Sequence, residues 1–501
     1  MRKENIYRAA AMVTIFSVVE KFFGFVYRIV LSRTLGSEGM GIYQVALSVF
    51  AVLATIAASG LPLTVSRLIT KYRAKYNPKA QNTVVSAALA CALLFSLPVF
   101  CVLYFGHEAF DFLFSDPRCM SILLVLLPSL AFNSVYSVLR GAMWGNKQFL
   151  SYCVIDLIEE LCMIGAGIFL VTTMTDVFDG AKRVAFAVVL SYLVSFTLAS
   201  VCYFLRGGRL NDPRRQLKPL LSSALPLTGM RTASALINSA ISLLLPARLI
   251  AAGYTNSEAM SLIGVATGMS MPVLSIPATL IGALALVFVP ELAENFYKGE
   301  HKKLRGNIER AIKVSVLVSC LLIPPMSVLG GDVGVLLFSS EKCGEVIQRS
   351  AAMLLPMSIG MITTSILNSL GYEKQTFFIF FAGAAATLLC VWFLPAFLGI
   401  YALIAGMAAS AVLTAALNLY MIQKKSKEKV RWKKHTLLSC ATVLPATVFG
   451  QMLRNVLGSA MPALPAAIVC GAVLVCAQGL LLFALALARP EWAKLLTAKS
   501  S

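Results

Sequence analysis

The stretch SEGMGIYQVA at residues 37–46 returns as SEAMSLIGVA at 257–266. Two further segments recur in the same order. LFSDPRC (113–119) returns as LFSSEKC (337–343), and LPSLAFNSVYSVLRGAMWGNKQF (127–149) is echoed by LPMSIGMITTSILNSLGYEKQTF (355–377). The offsets of 220, 224 and 228 residues drift as small insertions would make them. Ordered matches at nearly one spacing mark an internal duplication, so the chain reads as two similar halves.

Each half has room for six membrane spans. A span needs about 20 mostly apolar residues, because a helix rises ~1.5 Å per residue across a ~30 Å hydrocarbon core. Fourteen candidates emerge: 10–32, 41–69, 83–105, 119–140, 151–173, 184–205, 220–248, 261–290, 311–337, 350–371, 376–394, 398–422, 436–454 and 463–488. Residues 1–219 then form an N-terminal lobe (spans 1–6), 220–425 a C-terminal lobe (spans 7–12), and 426–501 two added spans and a cytoplasmic tail. Six is even, so the lobes are parallel repeats, an architecture suited to alternating access around a central cavity. The fold class expected is an all-α polytopic membrane protein. Composition agrees: 58% of the 501 residues are apolar and 13% charged, against about 45–50% and a quarter in soluble domains. Continuous apolar runs, without ten-residue alternation, exclude a strand barrel.

The net charge of +20 lies in loops. With the N-terminus inside, the inner loops and both termini hold 31 of the 43 Lys and Arg against 8 in the outer loops. That is the positive-inside bias, and no contiguous basic face suggests nucleic acid. Arg206, Arg209, Arg214, Arg215 and Lys218 form one inner cluster; Lys424, Lys425, Lys427, Lys429, Arg431, Lys433 and Lys434 form another. The basic N-terminus runs into a retained first helix rather than a cleaved signal. Twelve cysteines include no CxxC and lie mostly in apolar runs, with Cys119 and Cys343 bordering outer loops. Three scattered histidines offer no metal site, and no cofactor motif stands out.

With Arg140, Arg248, Lys313 and Arg454 counted with the loops they border, four cations are left within spans: Lys21, Arg28, Arg67 and Arg231. A charged group there costs about 2.5–3.5 kcal/mol on insertion scales and turns toward the bundle interior or water. Lys21 and Arg28 are seven residues apart, within about 20° of one helical face. Arg231 and Asn238 repeat that spacing in span 7. A cationic stripe at the start of each half suits an anionic substrate. Plainer roles stand beside this one: snorkelling for Arg28, a Glu20–Lys21 pair, and anchoring of Arg67 with Lys71 and Arg73. Asp156, Glu159 and Glu160 open span 5; with Glu20 they are candidates for charge pairs or for a coupling H⁺ or Na⁺, or else a solvated helix N-terminus. Asn368, Thr387 and Asn418 could hold a cation or bridge helices. Glu108, Asp111 and Asp116 read as loop solvation. Prolines punctuate many spans, and Pro272 and Pro277, with Gly264, Gly268 and Gly282, make span 8 the candidate bending helix.

KFFGFVYRIVLSRTLGSEGMGIYQVA (21–46) followed by SGLPLTVSRLITKY (59–72) resembles the stage V sporulation protein B group of the multidrug/oligosaccharidyl-lipid/polysaccharide exporter superfamily, which also contains the MurJ lipid II flippases. The resemblance implies a fourteen-span, two-lobe flippase carrying a polyprenyl-pyrophosphate-linked saccharide, most specifically the peptidoglycan precursor lipid II, and working beside cell-wall polymerases. Lys21, ahead of Gly24 and Phe25, matches the basic residue of MurJ-like span 1. Arg67 resembles one at the end of span 2, and Arg28 falls one position from a second arginine. The MurJ-like arginine of span 8 has no counterpart in 261–290, where Arg231 of span 7 is the available substitute.

Two other functions remain open. Cation-coupled multidrug efflux on the same fold would depend on Asp156 and Glu160 rather than on the span cations. A membrane transferase or polymerase of the cell envelope would need acids in a sizeable outer loop.

Overall fold

In a computed structural model the chain is helical, and no strand occurs among the described residues. These are 3–174, 176–425, 430 and 432–487, with side chains for all but 3–11, 283–287, 289, 290, 293, 297 and 485–487. Lys427, Lys429, Arg431 and the expected tail past 488 lie outside them. Packing divides the chain into two units, Met1–Gly264 and Val265–Ser501.

The first unit contains α1 (Lys3–Ala58), α2 (Leu61–Ala74), α3 (Pro78–Phe105), α4 (Pro117–Leu126), α5 (Pro128–Gly145), α6 (Phe149–Val171), α7 (Val177–Leu205), α8 (Arg214–Ala251) and α9 (Asn256–Ile263). Helix α1 covers the first expected segment and most of the second, which α2 completes, and it bends at Gly36, whose φ of 66° and ψ of −176° are open essentially to glycine alone. Just past the bend, Glu38 pairs with Arg118 at 2.8 Å, and Arg118 is also held by Asp116 at 2.8 Å. Asp116 is buried and caps α4 through the Arg118 amide, so it is a structural anchor rather than loop solvation.

The second unit contains α10 (Met271–Tyr297), α11 (His301–Phe338), α12 (Glu341–Ser350), α13 (Leu354–Ser369), α14 (Glu373–Phe393), α15 (Pro395–Leu398), α16 (Tyr401–Lys425), α17 (Lys433–Ala441), α18 (Val443–Ala460) and α19 (Ala463–Leu487). Its core gathers Ile281, Ile308, Ile312, Ile362, Ile366 and Leu419. Arg454 of α18 meets Asp332 of α11 at 2.7 Å. Asn418 donates to the Gly360 carbonyl and to Thr363, and Thr387 donates to the Gly406 carbonyl, so these polar residues bridge helices here.

Eleven helical stretches among the described residues are long and apolar enough to cross a membrane; α4 and α5, bent by 45° at their junction, add a twelfth. The first stretch, Met12–Ala74, contains the Gly36 bend, and α6 is long enough but carries three carboxylates. This is consistent with the fourteen expected spans. The chain is a multi-pass membrane protein. Large apolar side chains left outside, such as Phe105, Leu205 and Phe397, have lipid as their natural surroundings.

Not every expected kink materialises. Pro98, Pro226, Pro246, Pro324 and Pro325 stand inside helices. Pro62, Pro128 and Pro272 instead occupy first turns, where the missing amide hydrogen costs nothing. The irregularity of span 8 lies before Pro272, in a π-helical turn over Gly264–Ser270. Cys119 and Cys343 are buried, and all twelve cysteines are free thiols.

The repeated segments touch each other within the first unit. Ser37 and Ser261 share a 2.6 Å hydrogen bond. A β-carbon at Gly41 would lie 1.8 Å from the Met260 carbonyl oxygen, and one at Gly264 would lie 1.8 Å from that of Ser37. The motif's small residues thus permit backbone-to-backbone approach between α1 and α9. Gly41→Ala should destabilise the protein by more than the ~1–3 kcal/mol usual for overpacking, because carbonyl groups cannot move aside. Gly165→Ala, whose β-carbon meets nothing, should be neutral or slightly stabilising. Thermal melts of the two variants in detergent compare them directly.

Candidate functional site

The candidate residues fall into two groups within the first unit. One forms where α1 and α5 pack against α6. Helix α6 begins at Phe149, so Asp156 lies two turns in and Glu159 and Glu160 three; none is a solvated N-terminus. All three are half-buried. The hydroxyl of buried Tyr136 on α5 donates to Asp156, and Tyr152, one turn earlier on α6, also reaches that carboxylate. Glu159 faces Ser195 of α7, while its Oε2 is buried with no hydrogen-bond partner. Glu160 lies against α1, where its Oε1 would stand 2.9 Å from a β-carbon at Gly24, and it faces Arg28 electrostatically. Glu20, half-buried, completes the group within reach of Asp156 and Glu160.

A residue that sequence reasoning passed over stands among these acids. Arg140 closes the expected fourth span and looks like an ordinary end-of-helix cation. Its guanidinium lies over the Tyr136 ring at 5.7 Å and the Trp144 ring at 5.5 Å, one turn to either side on α5. It acts electrostatically on Glu20, Asp156 and Glu159, and its Nε is buried without a partner. The Trp144 ring meets Tyr152 edge-on at 5.4 Å, which locks the same α5 face onto α6. The i, i+4, i+8 spacing of Tyr136, Arg140 and Trp144 was the available signal.

The second group lies where α2 packs on α8. Ser59 and Gly60 break the chain between α1 and α2. A β-carbon at Gly60 would stand 2.5 Å from the Ala224 carbonyl oxygen, so the break is pressed onto α8. Arg231 donates from Nη1 to the Ser59 carbonyl at 2.8 Å, placing its cation at the carboxyl end of α1, where the helix dipole favours it. Arg67 reaches Ser223 on α8 at 3.5 Å. Asn238, seven residues past Arg231, is exposed.

Lys21 stands apart from both groups' contacts. It is exposed and makes no ion pair among the described residues, so the alternative role in a Glu20–Lys21 pair is not taken up. Arg67 and Arg231 are likewise exposed, Arg28 is half-buried, and none of the three has an ion-pair partner among the described residues. Other helix cations do: Arg118 with Glu38 and Asp116, Arg305 with Glu309, and Arg454 with Asp332. Uncompensated cations exposed along apolar helices are equipped to receive an anion, while the α6 carboxylates are equipped to hold a cation or proton.

Comparison with known proteins adds kinship. Residues 6–296 match the family model described as polysaccharide biosynthesis protein. The stage V sporulation protein B of Bacillus subtilis (strain 168) is 23% identical over 375 residues, covering 71% of each chain. The lipid II flippase MurJ of the same organism is 21% identical over 413 residues, 74% of each. A solved structure of lipid II flippase MurJ, in an inward closed conformation, superposes with a TM-score of 0.73 at 12% identity, covering 96% of this chain and all of that one, and so shares its fold.

The Tyr136–Asp156 bond can be isolated by a double-mutant cycle. Tyr136→Phe, Asp156→Ala and the double variant should show a coupling of about 1.5–3 kcal/mol in unfolding free energy, as for hydrogen bonds to charged groups. A coupling near zero would mean that the two side chains act independently.

Proposed function

The chain belongs to the polysaccharide biosynthesis protein family, and from that membership we propose that it is a transporter that flips a polyprenyl-pyrophosphate-linked saccharide, lipid II in particular, from the inner to the outer leaflet of the cell membrane. The observation that carries this reading is the set of span cations that make no ion pair among the described residues, Lys21, Arg28, Arg67 and Arg231, with Arg28 facing the Glu160 carboxylate electrostatically. A diphosphate brought to mid-membrane needs compensating charge, and unpaired cations provide it without first breaking an ion pair. Arg231 keeps most of its guanidinium donors after binding Ser59, and Asn238 adds a neutral amide for saccharide hydroxyls. The kinship with MurJ, named a lipid II flippase, supports the choice of cargo.

In this reading the two repeat-related lobes, 1–219 and 220–425, rock to open a polar chamber alternately to either side, while the polyprenyl tail stays in lipid. The termini are cytoplasmic, and an inside-negative potential assists outward passage of the anionic headgroup by about 2.3 kcal/mol per charge per 100 mV. Glu20, Asp156, Glu159 and Glu160, with Arg140 among them, take the coupling H⁺ or Na⁺. Released cargo passes to cell-wall polymerases.

Two measurements test this. In proteoliposomes loaded with lipid II, Lys21→Ala and Arg67→Ala should each slow flipping about tenfold or more, the worth of a lost charge-assisted hydrogen bond. Full transport by the double variant Lys21→Ala/Arg231→Ala removes the proposed phosphate site. Separately, Asp156→Asn/Glu160→Gln should abolish stimulation by an imposed pH or Na⁺ gradient while leaving cargo binding intact; an unchanged gradient response excludes these carboxylates from coupling.

A further inference from the structure

A polar cavity, separate from the groups above, lies at the end of the first unit that carries its basic loops. It has a volume of about 210 Å³ and is walled by the start of α3, the end of α5, the start of α6 and the end of α7. At roughly 30 Å³ per water it would hold about seven waters, and it is smaller than the ~300 Å³ at which drug-sized pockets begin.

Its lining chemistry is specific. Gln81, Asn82, Asn146 and Gln148 contribute four carboxamides, Tyr203 a hydroxyl and Arg206 a guanidinium; no carboxylate lines it among the described residues. The Tyr203 hydroxyl lies 3.2 Å from both Asn82 Oδ1 and the Arg209 carbonyl oxygen and shares its one hydrogen between them, which leaves the Asn82 amide hydrogens uncommitted. The side chains of Gln81, Asn146 and Gln148 make no hydrogen bond among the described residues. Arg206 uses one of its five donors on Ser151 Oγ at 2.7 Å. It ends α7, where Gly207 turns the chain at a φ of 80°. The surroundings add positive charge, since Lys79 lies in the first turn of α3 and Arg209 on the loop after α7.

Donors in excess, one fixed cation and no competing acid make a receptor for phosphoryl oxygens. Exposed leucines flank the lining residues in sequence: Leu205, 82% exposed, immediately precedes Arg206, and Leu150 and Leu210 follow Gln148 and Arg206 closely. A polar cavity flanked by exposed apolar side chains matches an amphiphile whose headgroup enters while its chains lie along the helices. We propose that this cavity is a phosphoryl-binding site occupied by the headgroup of an anionic membrane lipid. The site does not depend on what the transporter carries.

The test is native mass spectrometry of the full chain in detergent, titrated with phosphatidylglycerol, phosphatidylcholine or glycerol 3-phosphate. Wild-type protein should retain phosphatidylglycerol over phosphatidylcholine. Arg206→Ala should weaken that retention about tenfold, as should Gln81→Glu, which places a carboxylate in the cavity with Arg206 intact. Lys75→Ala, a basic-loop change outside the lining, should not. Size-exclusion profiles confirm that each variant folds. If glycerol 3-phosphate binds as tightly as the lipid, with the same sensitivity to both variants, the phosphoryl site stands and its ligand is soluble. If both cavity variants bind phosphatidylglycerol as Lys75→Ala does, the site is overturned.

Discussion

A formal charge inside hydrocarbon must be answered by an opposite charge, by a dense set of hydrogen bonds, or by water, and the polar features of this chain sort by which answer they receive. Arg118 and Arg454 are answered by carboxylates and tie helices together. Asp156 is answered by two tyrosine hydroxyls. Lys21, Arg67 and Arg231 are exposed and lack carboxylates. The first two sets tie helices together; the third is the set on which the proposed function rests.

The division also explains where rigidity and freedom lie. The α5–α6 face is stitched by the Trp144–Tyr152 ring contact and the Tyr136–Asp156 bond, which hold the carboxylates and Arg140 in fixed relation. The crossing of α1 and α9 at Gly41 and Gly264 leaves no room for a side chain. Immediately after it the helix passes into a π-helical turn and then to α10, at the boundary between the two packed units.

Much of this was readable in advance. The span pattern came through because hydropathy over some twenty residues is a strong, additive signal. The repeated SEGMGIYQVA motif marked a real structural place, since its small residues make the close α1–α9 approach possible. Individual polar residues were harder. Asp116 looked like loop solvent contact but is a buried cap, and Glu20 and Lys21, adjacent in sequence, do not pair because neighbouring helical residues point about 100° apart. Arg140 went unread as a site residue because the acids it faces belong to helices α1 and α6.

The amino-acid sequence by itself determined that this is a helical membrane protein with a duplicated plan, which residues carry charge within the spans, and which loops are basic. These are properties of local composition and spacing. Tertiary structure alone decided which charges are neutralised and which stay open: that Arg231 caps the turn after α1, that Arg140 stands among the α6 acids, and that four carboxamides and Arg206 enclose a cavity. The physical reason is that electrostatic and hydrogen-bond energies act over a few ångströms in space, and residues brought that close here are separated by up to 224 positions along the chain.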